Sequence, residues 1–152
     1  MKEIKAPNQS PKNTSLSIFL AGSIEMGKAE LWQERIVREM ENEDVIFYNP
    51  RRDDWDNSLE QTIENAQFNQ QVTWELEHLE KADIIALYFD PTTKSPISLL
   101  ELGLFARTDK VIVCCPEGFW RKGNVDIVCN LYKIQQVDSI EDLIETIKNM
   151  AQ

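Results

Sequence analysis

Two glutamates occupy positions at which a helical pattern otherwise carries apolar side chains. Glu101, in the segment SPISLLELG, lies three or four residues from Ile97, Leu104 and Phe105. This spacing predicts that the four side chains share one helix face, so the carboxyl group of Glu101 should point into the protein. An uncompensated buried charge costs several kcal/mol or shifts its pKa. Glu101 therefore needs a chemical role or, as the structural alternative, backbone amide partners.

Glu75 shows the same pattern on a second predicted helix. Its stripe is shared with Phe68, Val72, Leu79 and Ala82. Two inward carboxyl groups beside one cleft suit a nucleophile and an acid–base or orienting group, as in glycosyl transfer. We therefore expect the two carboxyl groups to lie close together in the folded protein.

Apolar segments rich in β-branched and aromatic residues alternate with helical patterns. The predicted strands are 17–21, 45–48, 83–89, 110–115 and 133–137. The predicted helices are 29–40, 59–81, about 97–107 and 139–150, with a break in the second near Ala66. Alternation of strand and helix predicts parallel strands with right-handed crossovers. The expected fold class is therefore α/β, a single-domain, doubly wound, five-stranded parallel sheet in the flavodoxin-like order 2-1-3-4-5.

The first fifteen residues differ in composition from the rest of the chain. Residues 1–15 are rich in Lys, Asn, Pro and Ser and carry no periodicity, which predicts a flexible N-terminal tail. Residues 16–152 are then expected to form the α/β domain, since this length suits one buried core.

The charge balance and the apolar runs exclude several classes of partner. Sixteen basic and 26 acidic side chains give a formal net charge of −10, which argues against nucleic acid or an anionic membrane. The longest apolar runs are far shorter than the roughly 20 residues that span a bilayer. No signal peptide is expected because the first residues contain no apolar block.

Metal ions and common cofactors find no support in the sequence. The three cysteines have no CxxC spacing and are expected to be small buried side chains in a reducing, cytoplasmic setting. No GxGxxG or GxxxxGK motif occurs, so no cofactor is predicted. The single histidine, His78, lies between Glu77 and Glu80 and is expected to be a solvated helix residue, which leaves Ser-His catalysis little support.

Turns that follow the first three predicted strands carry the candidate binding residues. In a doubly wound sheet, ligands bind beyond the carboxyl ends of the strands, where the strand order reverses. Gly22 and Ser23 follow the first strand, and a turn ending at Ser95 follows the third. The loop NPRRDDW after the second strand offers Asp53 and Trp55, which suit hydrogen bonding and stacking on a heterocycle. An ordinary tight turn and a solvated loop are the structural alternatives.

The ordered motifs resemble those of the nucleoside 2-deoxyribosyltransferase family. They are IFLAGSI (18–24), WELEHLEKAD (74–83) and SPISLLELG (95–103), and NPRRDDW resembles a subfamily variant. The motifs run in the family's order and span most of residues 18–126. The resemblance implies a pentosyltransferase of nucleotide salvage that exchanges nucleobases between 2′-deoxynucleosides, with nucleosides and free nucleobases as its ligands.

The resemblance also implies roles for individual residues. Glu101 matches the nucleophile that attacks C1′ and forms a covalent deoxyribosyl-enzyme, after which a second base attacks the same carbon with net retention. Glu75 lies where the family carries an orienting aspartate. Asn124 resembles an asparagine that reaches the 5′-hydroxyl in a neighbouring subunit, with Asp126 beside it. A homo-oligomer with shared active sites would follow.

Two departures from the family pattern keep other functions open. Phe19 stands where the family has a tyrosine, and Ser95 resembles the phosphate-holding serine of related deoxynucleoside 5′-monophosphate N-glycosidases. Glu25 argues against a phosphate because like charges repel in a partly desolvated cleft. The transferase is therefore favoured over the hydrolase. A non-catalytic nucleoside-binding module on the same scaffold is a third hypothesis. Candidates for protonating the leaving base are Asp53, Asp54 and Asp126.

Overall fold

One parallel sheet of six strands organises the chain in a computed structural model, which describes residues 1–10, 12, 14–24 and 31–152. The strands are β1 (Lys2–Lys5), β2 (Leu16–Gly22), β3 (Val45–Asn49), β4 (Ile84–Tyr88), β5 (Val111–Cys114) and β6 (Gln135–Val137). Their order across the sheet is β1-β3-β2-β4-β5-β6. Every neighbouring pair is parallel, as the alternation of strand and helix predicts.

Helices cover both faces of this sheet. Those of the described residues are α1 (Trp32–Glu39), α2 (Ala66–Lys81), α3 (Pro96–Phe105), α4 (Lys122–Tyr132) and α5 (Ile140–Ala151). Successive strand residues point to opposite faces, so the sheet contributes to two cores. Trp74, Leu102 and Val125 of α2, α3 and α4 pack into one core, and Trp32 and Ile144 of α1 and α5 pack into the other.

The predicted five-stranded order is confirmed for β3-β2-β4-β5-β6, but the sheet has a sixth strand. Residues 2–5, predicted to belong to a flexible tail, form β1, with Lys2 opposite Ile46 and Ile4 opposite Tyr48 of β3. The tail prediction is wrong for these residues. Ile4 is buried, and one buried apolar residue among charged neighbours gives no detectable period. Lysines on an edge strand also discourage pairing with other chains.

One predicted helix begins later than expected, and one observed helix was not predicted. The helix predicted over 59–81 begins only at Ala66, where the Asn65 side chain accepts a hydrogen bond from the Phe68 amide at 2.9 Å. The predicted break is thus an N-terminal cap. The helix α4 was not predicted, because Gly123 and several β-branched residues weaken its helical propensity. In the predicted helix 29–40, Ala29 lies outside the described residues.

No helix among the described residues is both long and apolar enough to cross a bilayer.

Candidate active site

The two central strands, β2 and β4, meet closely where the strand order reverses. Gly22, at the end of β2, has φ of +138°, and a Cβ atom there would lie 2.3 Å from the carbonyl oxygen of Tyr88. The amide of Ser23 donates to that same oxygen at 2.9 Å, and the Ser23 carbonyl accepts from Trp32 Nε1 at 3.0 Å. Glycine is therefore required at position 22 for β2 and β4 to pack this closely.

A cluster of three buried hydroxyl groups joins the turns that follow β2 and β4. Ser23 Oγ lies 3.0 Å from Thr93 Oγ1 and 2.5 Å from Ser95 Oγ, and the last two atoms are 2.6 Å apart. The Asp90 amide also donates to Ser23 Oγ at 2.8 Å. The structure thus brings Ser23 and Ser95, both predicted site residues, into direct contact.

The start of α3 is set by the same cluster. Ser95 precedes the helix with φ of +47° and ψ of +54°, a left-handed conformation that is uncommon outside glycine. Pro96 follows at the first helical position, where its fixed φ is favourable. The direction of α3, and with it the position of Glu101, therefore depends on the contact between the two turns.

Glu101 lies on the buried face of α3 with Ser98, Leu102 and Phe105. The residue is 9% exposed, and no other described residue is a hydrogen-bond partner of its Oε2 atom. Burial raises the pKa of Glu101 to about 8, and the negative charge of Glu75 contributes to the rise. The expected burial of Glu101 is confirmed, whereas its chemical role stays a prediction.

The face predicted for α3 is only partly right. Phe105 is buried with Glu101, but Ile97 and Leu104 are exposed. Because α3 is apolar on nearly all sides, the three- and four-residue spacing could not distinguish the core face from the outer one.

Glu75, on the half-buried side of α2, is close enough to Glu101 for their charges to interact. Desolvation raises the pKa of Glu75 to about 6, although a hydrogen bond from Gln71 opposes the rise. Gln71 Nε2 donates to Glu75 Oε1 at 3.0 Å and to the Pro50 carbonyl at 2.8 Å. With one pKa near 6 and the other near 8, the carboxyl pair holds about one proton at neutral pH.

The loop after β3 is connected to Glu75 through Gln71, which also donates to the Pro50 carbonyl. Trp55 is half-buried in this loop, with the Arg52 guanidinium 5.7 Å from its ring centroid. Arg52 Nε also donates to Asp54 at 3.1 Å. Asp53 is exposed and pairs with Lys5 of β1 at 3.2 Å. The structure therefore directs Asp53 toward the edge strand and not toward the carboxyl pair.

Comparison with known proteins places this arrangement in a family. A family model described as "Nucleoside 2-deoxyribosyltransferase like" matches residues 15–119. The chain belongs to the nucleoside 2-deoxyribosyltransferase-like family. The match includes the turns after β2 and β4, both glutamates and the loop after β3, which confirms the resemblance inferred from the motifs.

Solved structures show the same architecture. One described as "Crystal structure of conserved protein from Enterococcus faecalis V583" superposes with a TM-score of 0.61 at 18% identity, covering 90% of this chain and 99% of that chain. At this identity the likeness to that protein shows the fold alone. None of the curated proteins matches the chain.

Two predicted site residues of this nucleoside 2-deoxyribosyltransferase-like protein lie on α4, beyond the matched residues. Asn124 is exposed. Asp126 accepts hydrogen bonds from Lys122 at 3.1 Å and from Gln136 of β6 at 2.6 Å. These contacts hold Asp126 against the sheet and do not join it to Glu75 or Glu101.

Two polar residues of α2 are buried although their burial was not predicted from the sequence. Gln71 is 7% exposed, and its position four residues before Glu75, within a Gln-rich stretch, was the available signal. His78, expected to be solvated, is fully buried, stacked on Trp74 at 4.0 Å and edge-on to Tyr48 at 4.9 Å. The prediction for His78 is wrong because its charged neighbours Glu77 and Glu80 lie on other sides of α2.

Two surface cavities lie apart from the carboxyl pair. One of about 310 Å³ is at the amino-terminal edge of the sheet, lined by residues that include Asp109 and Tyr132. The other, of about 230 Å³, lies between α2 and the segment around Pro7. Neither is lined by Glu75 or Glu101. Within the described part of the chain, no group of three or more His, Cys, Asp or Glu side chains could hold a metal ion.

Proposed function

We propose that this protein exchanges nucleobases between 2′-deoxynucleosides, with Glu101 as the nucleophile. The observation that carries the proposal is a buried carboxyl group with an unpartnered oxygen among the described residues, beside a second carboxyl group at the strand-order reversal. Family membership supports the same reaction class. Parallel sheets of this kind bind ligands at that point.

The proposed reaction proceeds in two displacements at C1′. In the first, a Glu101 oxygen bonds to C1′ as the bond from C1′ to the base nitrogen breaks, and the departing base takes the electron pair of that bond and the proton that the carboxyl pair holds. In the second, a nitrogen of the incoming base bonds to C1′ as the bond from C1′ to the Glu101 oxygen breaks, and the proton that this nitrogen loses returns to the carboxyl pair. Two inversions retain the β configuration. Glu75 positions Glu101 and the sugar, and Ser23, Gly22 and Ser95 shape the crevice.

Buried acceptors in the site match the hydroxyl groups of a deoxyribose. Among the described residues, Glu101 Oε2 and Gln71 Oε1 are buried and have no hydrogen-bond donor. Leaving such an acceptor unpaired costs about 1–3 kcal/mol. A ligand that brings hydroxyl donors would recover this cost, which favours a sugar over an apolar ligand.

Base exchange can be measured directly. We expect incubation with thymidine or deoxyinosine and a free purine to give a new deoxynucleoside, because a nucleobase resolves the covalent intermediate. Liquid chromatography with mass detection would identify the product. A reaction mixture that contains only free deoxyribose and free base would contradict the transferase and favour hydrolysis.

The N-glycosidase is the second candidate because Ser95 resembles the phosphate-holding serine of related N-glycosidases. In this structure Ser95 is 5% exposed and its hydroxyl contacts Ser23 and Thr93, which favours a role in closing the two turns together. Glu25, the other residue in this comparison, lies outside the described residues. Hydrolysis that is strongly faster with a 5′-phosphate on the substrate would support the glycosidase. A non-catalytic binding module would bind nucleosides and change none of them.

A homo-oligomer with shared sites forms part of the proposal. Ile97, Leu100 and Leu104 expose 58%, 57% and 54% of their surface on the outer face of α3. On α4, Ile127 and Leu131 expose 70% and 69%. Apolar faces of this kind are typical of protein interfaces, and a second copy would bring its Asn124 to the neighbouring site, as the family resemblance implies.

Mixing two inactive variants tests the shared site. We expect Glu101→Gln and Asn124→Ala, dissociated and reassociated together, to recover about a quarter of the wild-type activity if the protein is a dimer, because half of the dimers then carry one intact site. Light scattering would give the subunit number. As the matched control, Glu101→Gln mixed with Glu75→Gln should recover nothing, since both changes affect one subunit's site. A monomeric protein, or no recovery in the first mixture, would contradict the shared site.

A further inference from the structure

Gln71 connects the carboxyl pair to the loop after β3. It lies one helical turn before Glu75 on α2, and 7% of its surface is exposed. One amide nitrogen, Nε2, makes both contacts: it donates to the Pro50 carbonyl at 2.8 Å and to Glu75 Oε1 at 3.0 Å. A single buried side chain thus holds α2, the loop and one of the two glutamates together.

The orientation of the Gln71 amide follows from its partners. A primary amide has two N–H donors on nitrogen and an acceptor oxygen. Pro50 offers a carbonyl oxygen and Glu75 a carboxyl oxygen, so both partners accept. Turning the amide over would place Oε1 against two other oxygens, which is repulsive. Both N–H donors of Gln71 therefore point to Pro50 and Glu75, and Oε1 has no hydrogen-bond partner among the described residues.

We propose that Gln71 is a positioning residue, which acts through Glu75 by fixing its Oε1 atom and stabilising its negative charge beside Glu101. This inference rests on the proposed function, in which Glu75 orients the nucleophile. Hydrogen bonding to a carboxylate favours the ionised form. Gln71 therefore keeps the negative charge of the pair on Glu75 while no substrate is bound, and fixes the side chain that orients Glu101.

Among the described residues, Gln71 is the side chain whose hydrogen bond lowers the pKa of Glu75. Glu101 on α3 is the titratable group whose charge interacts with Glu75 among the described residues. The strand β2, against which α2 packs, has no ionisable side chain. The loop after β3 contributes the uncharged Pro50 carbonyl, its Arg52 is paired with Asp54, and its half-buried Arg51 interacts with the charge of Glu34. The hydrogen bond that opposes the rise in the pKa of Glu75 comes from Gln71.

A double-mutant cycle on base exchange tests the positioning role. Gln71→Met keeps the size of the side chain and removes its donors, and we expect kcat to fall about tenfold to a hundredfold with KM changed less than about twofold. In a Glu75→Ala background the same change should lower kcat less than about twofold, since Gln71 has nothing left to position. Gln70→Met, at an exposed neighbour, is the matched control and should change neither constant.

Equal losses from Gln71→Met in both backgrounds would overturn the proposal, because they would indicate that Gln71 only anchors the loop. A second measurement does not depend on activity. Gln71 opposes the rise in the pKa of Glu75, so Gln71→Met should steepen the fall in unfolding free energy between about pH 4.5 and 7. That steepening should vanish with Glu75→Ala, and its absence in the single variant would also overturn the proposal. A wild-type protein without base exchange that still shows this coupling would refute the proposed function alone.

Discussion

Glu101→Gln is expected to lower base exchange by about 10⁴-fold or more, because an amide oxygen cannot form the covalent bond to C1′. The side chain keeps its size and stays in the buried position between α3 and the sheet. Intact-mass spectrometry after incubation with a 2-fluoro-2-deoxy nucleoside provides the decisive measurement. The wild-type protein should gain the mass of one fluorinated sugar on a peptide that contains Glu101, and the variant should gain none.

Glu145→Gln is the matched control for this experiment, since Glu145 is an exposed glutamate on α5. It should keep full activity and form the same adduct. An adduct on a different peptide, or full exchange activity in Glu101→Gln, would mean that Glu101 is not the nucleophile. Loss of activity together with loss of the fold, seen by circular dichroism, would require Glu101→Asp as a second variant, in which the shorter side chain should also fail to form the adduct at the wild-type rate.

Glu101→Gln is also expected to make the protein more stable in alkaline solution. The pKa of Glu101 rises from 4.5 to about 8 on folding, so the folded state binds the proton more tightly than the unfolded state does. The contribution of Glu101 to the unfolding free energy should therefore be greatest at acidic pH and fall as the pH rises from about 4.5 to 8, by several kcal/mol in order of magnitude. Glutamine does not titrate, so the variant should lose much less.

Urea unfolding at pH 5, 6, 7 and 8 would measure this difference. The curves of wild type and Glu101→Gln should diverge progressively toward pH 8, with the variant gaining relative stability. Glu145→Gln should follow the wild-type curve throughout. Parallel curves for wild type and Glu101→Gln would show that the Glu101 carboxyl group is not desolvated in the folded protein.

The central part of the fold could be predicted from the sequence because its strands are continuously apolar. Segments such as 45–48 and 83–89 are covered on both faces, so their hydrophobicity marks them without any need for periodicity. β1 could not be found in this way, since an edge strand with one buried residue resembles a polar tail. The helix α4 was missed for a related reason: Val125 and Cys129 are its buried residues, and Gly123 lowers its propensity.

Part of the candidate site could be predicted because one of its residues differs in character from its neighbours in the sequence. Glu101 was found because a charge within an apolar helix is unexpected, and its burial is confirmed. The turns that carry Ser23 and Ser95 were expected on opposite sides of one crevice, whereas the structure brings their hydroxyl groups into direct contact. Gln71 and His78 could not be placed so well, because polar but uncharged side chains fit either face of an amphipathic helix. Asp53 lies in the predicted loop and its binding role stays a prediction, but its ion pair with Lys5 could not be foreseen because Lys5 belongs to the strand that was not predicted.

The position of β1 at the edge of the sheet affects how the protein should be prepared for these measurements. Lys5, at the end of this strand, holds Asp53 in the loop after β3, and the following segment contributes the Asn8 carbonyl that accepts from Trp74 Nε1 at 2.8 Å. An affinity tag fused ahead of Met1 would extend directly from the first residues of this strand. A tag placed after α5 would leave these contacts undisturbed and is the better choice for purification.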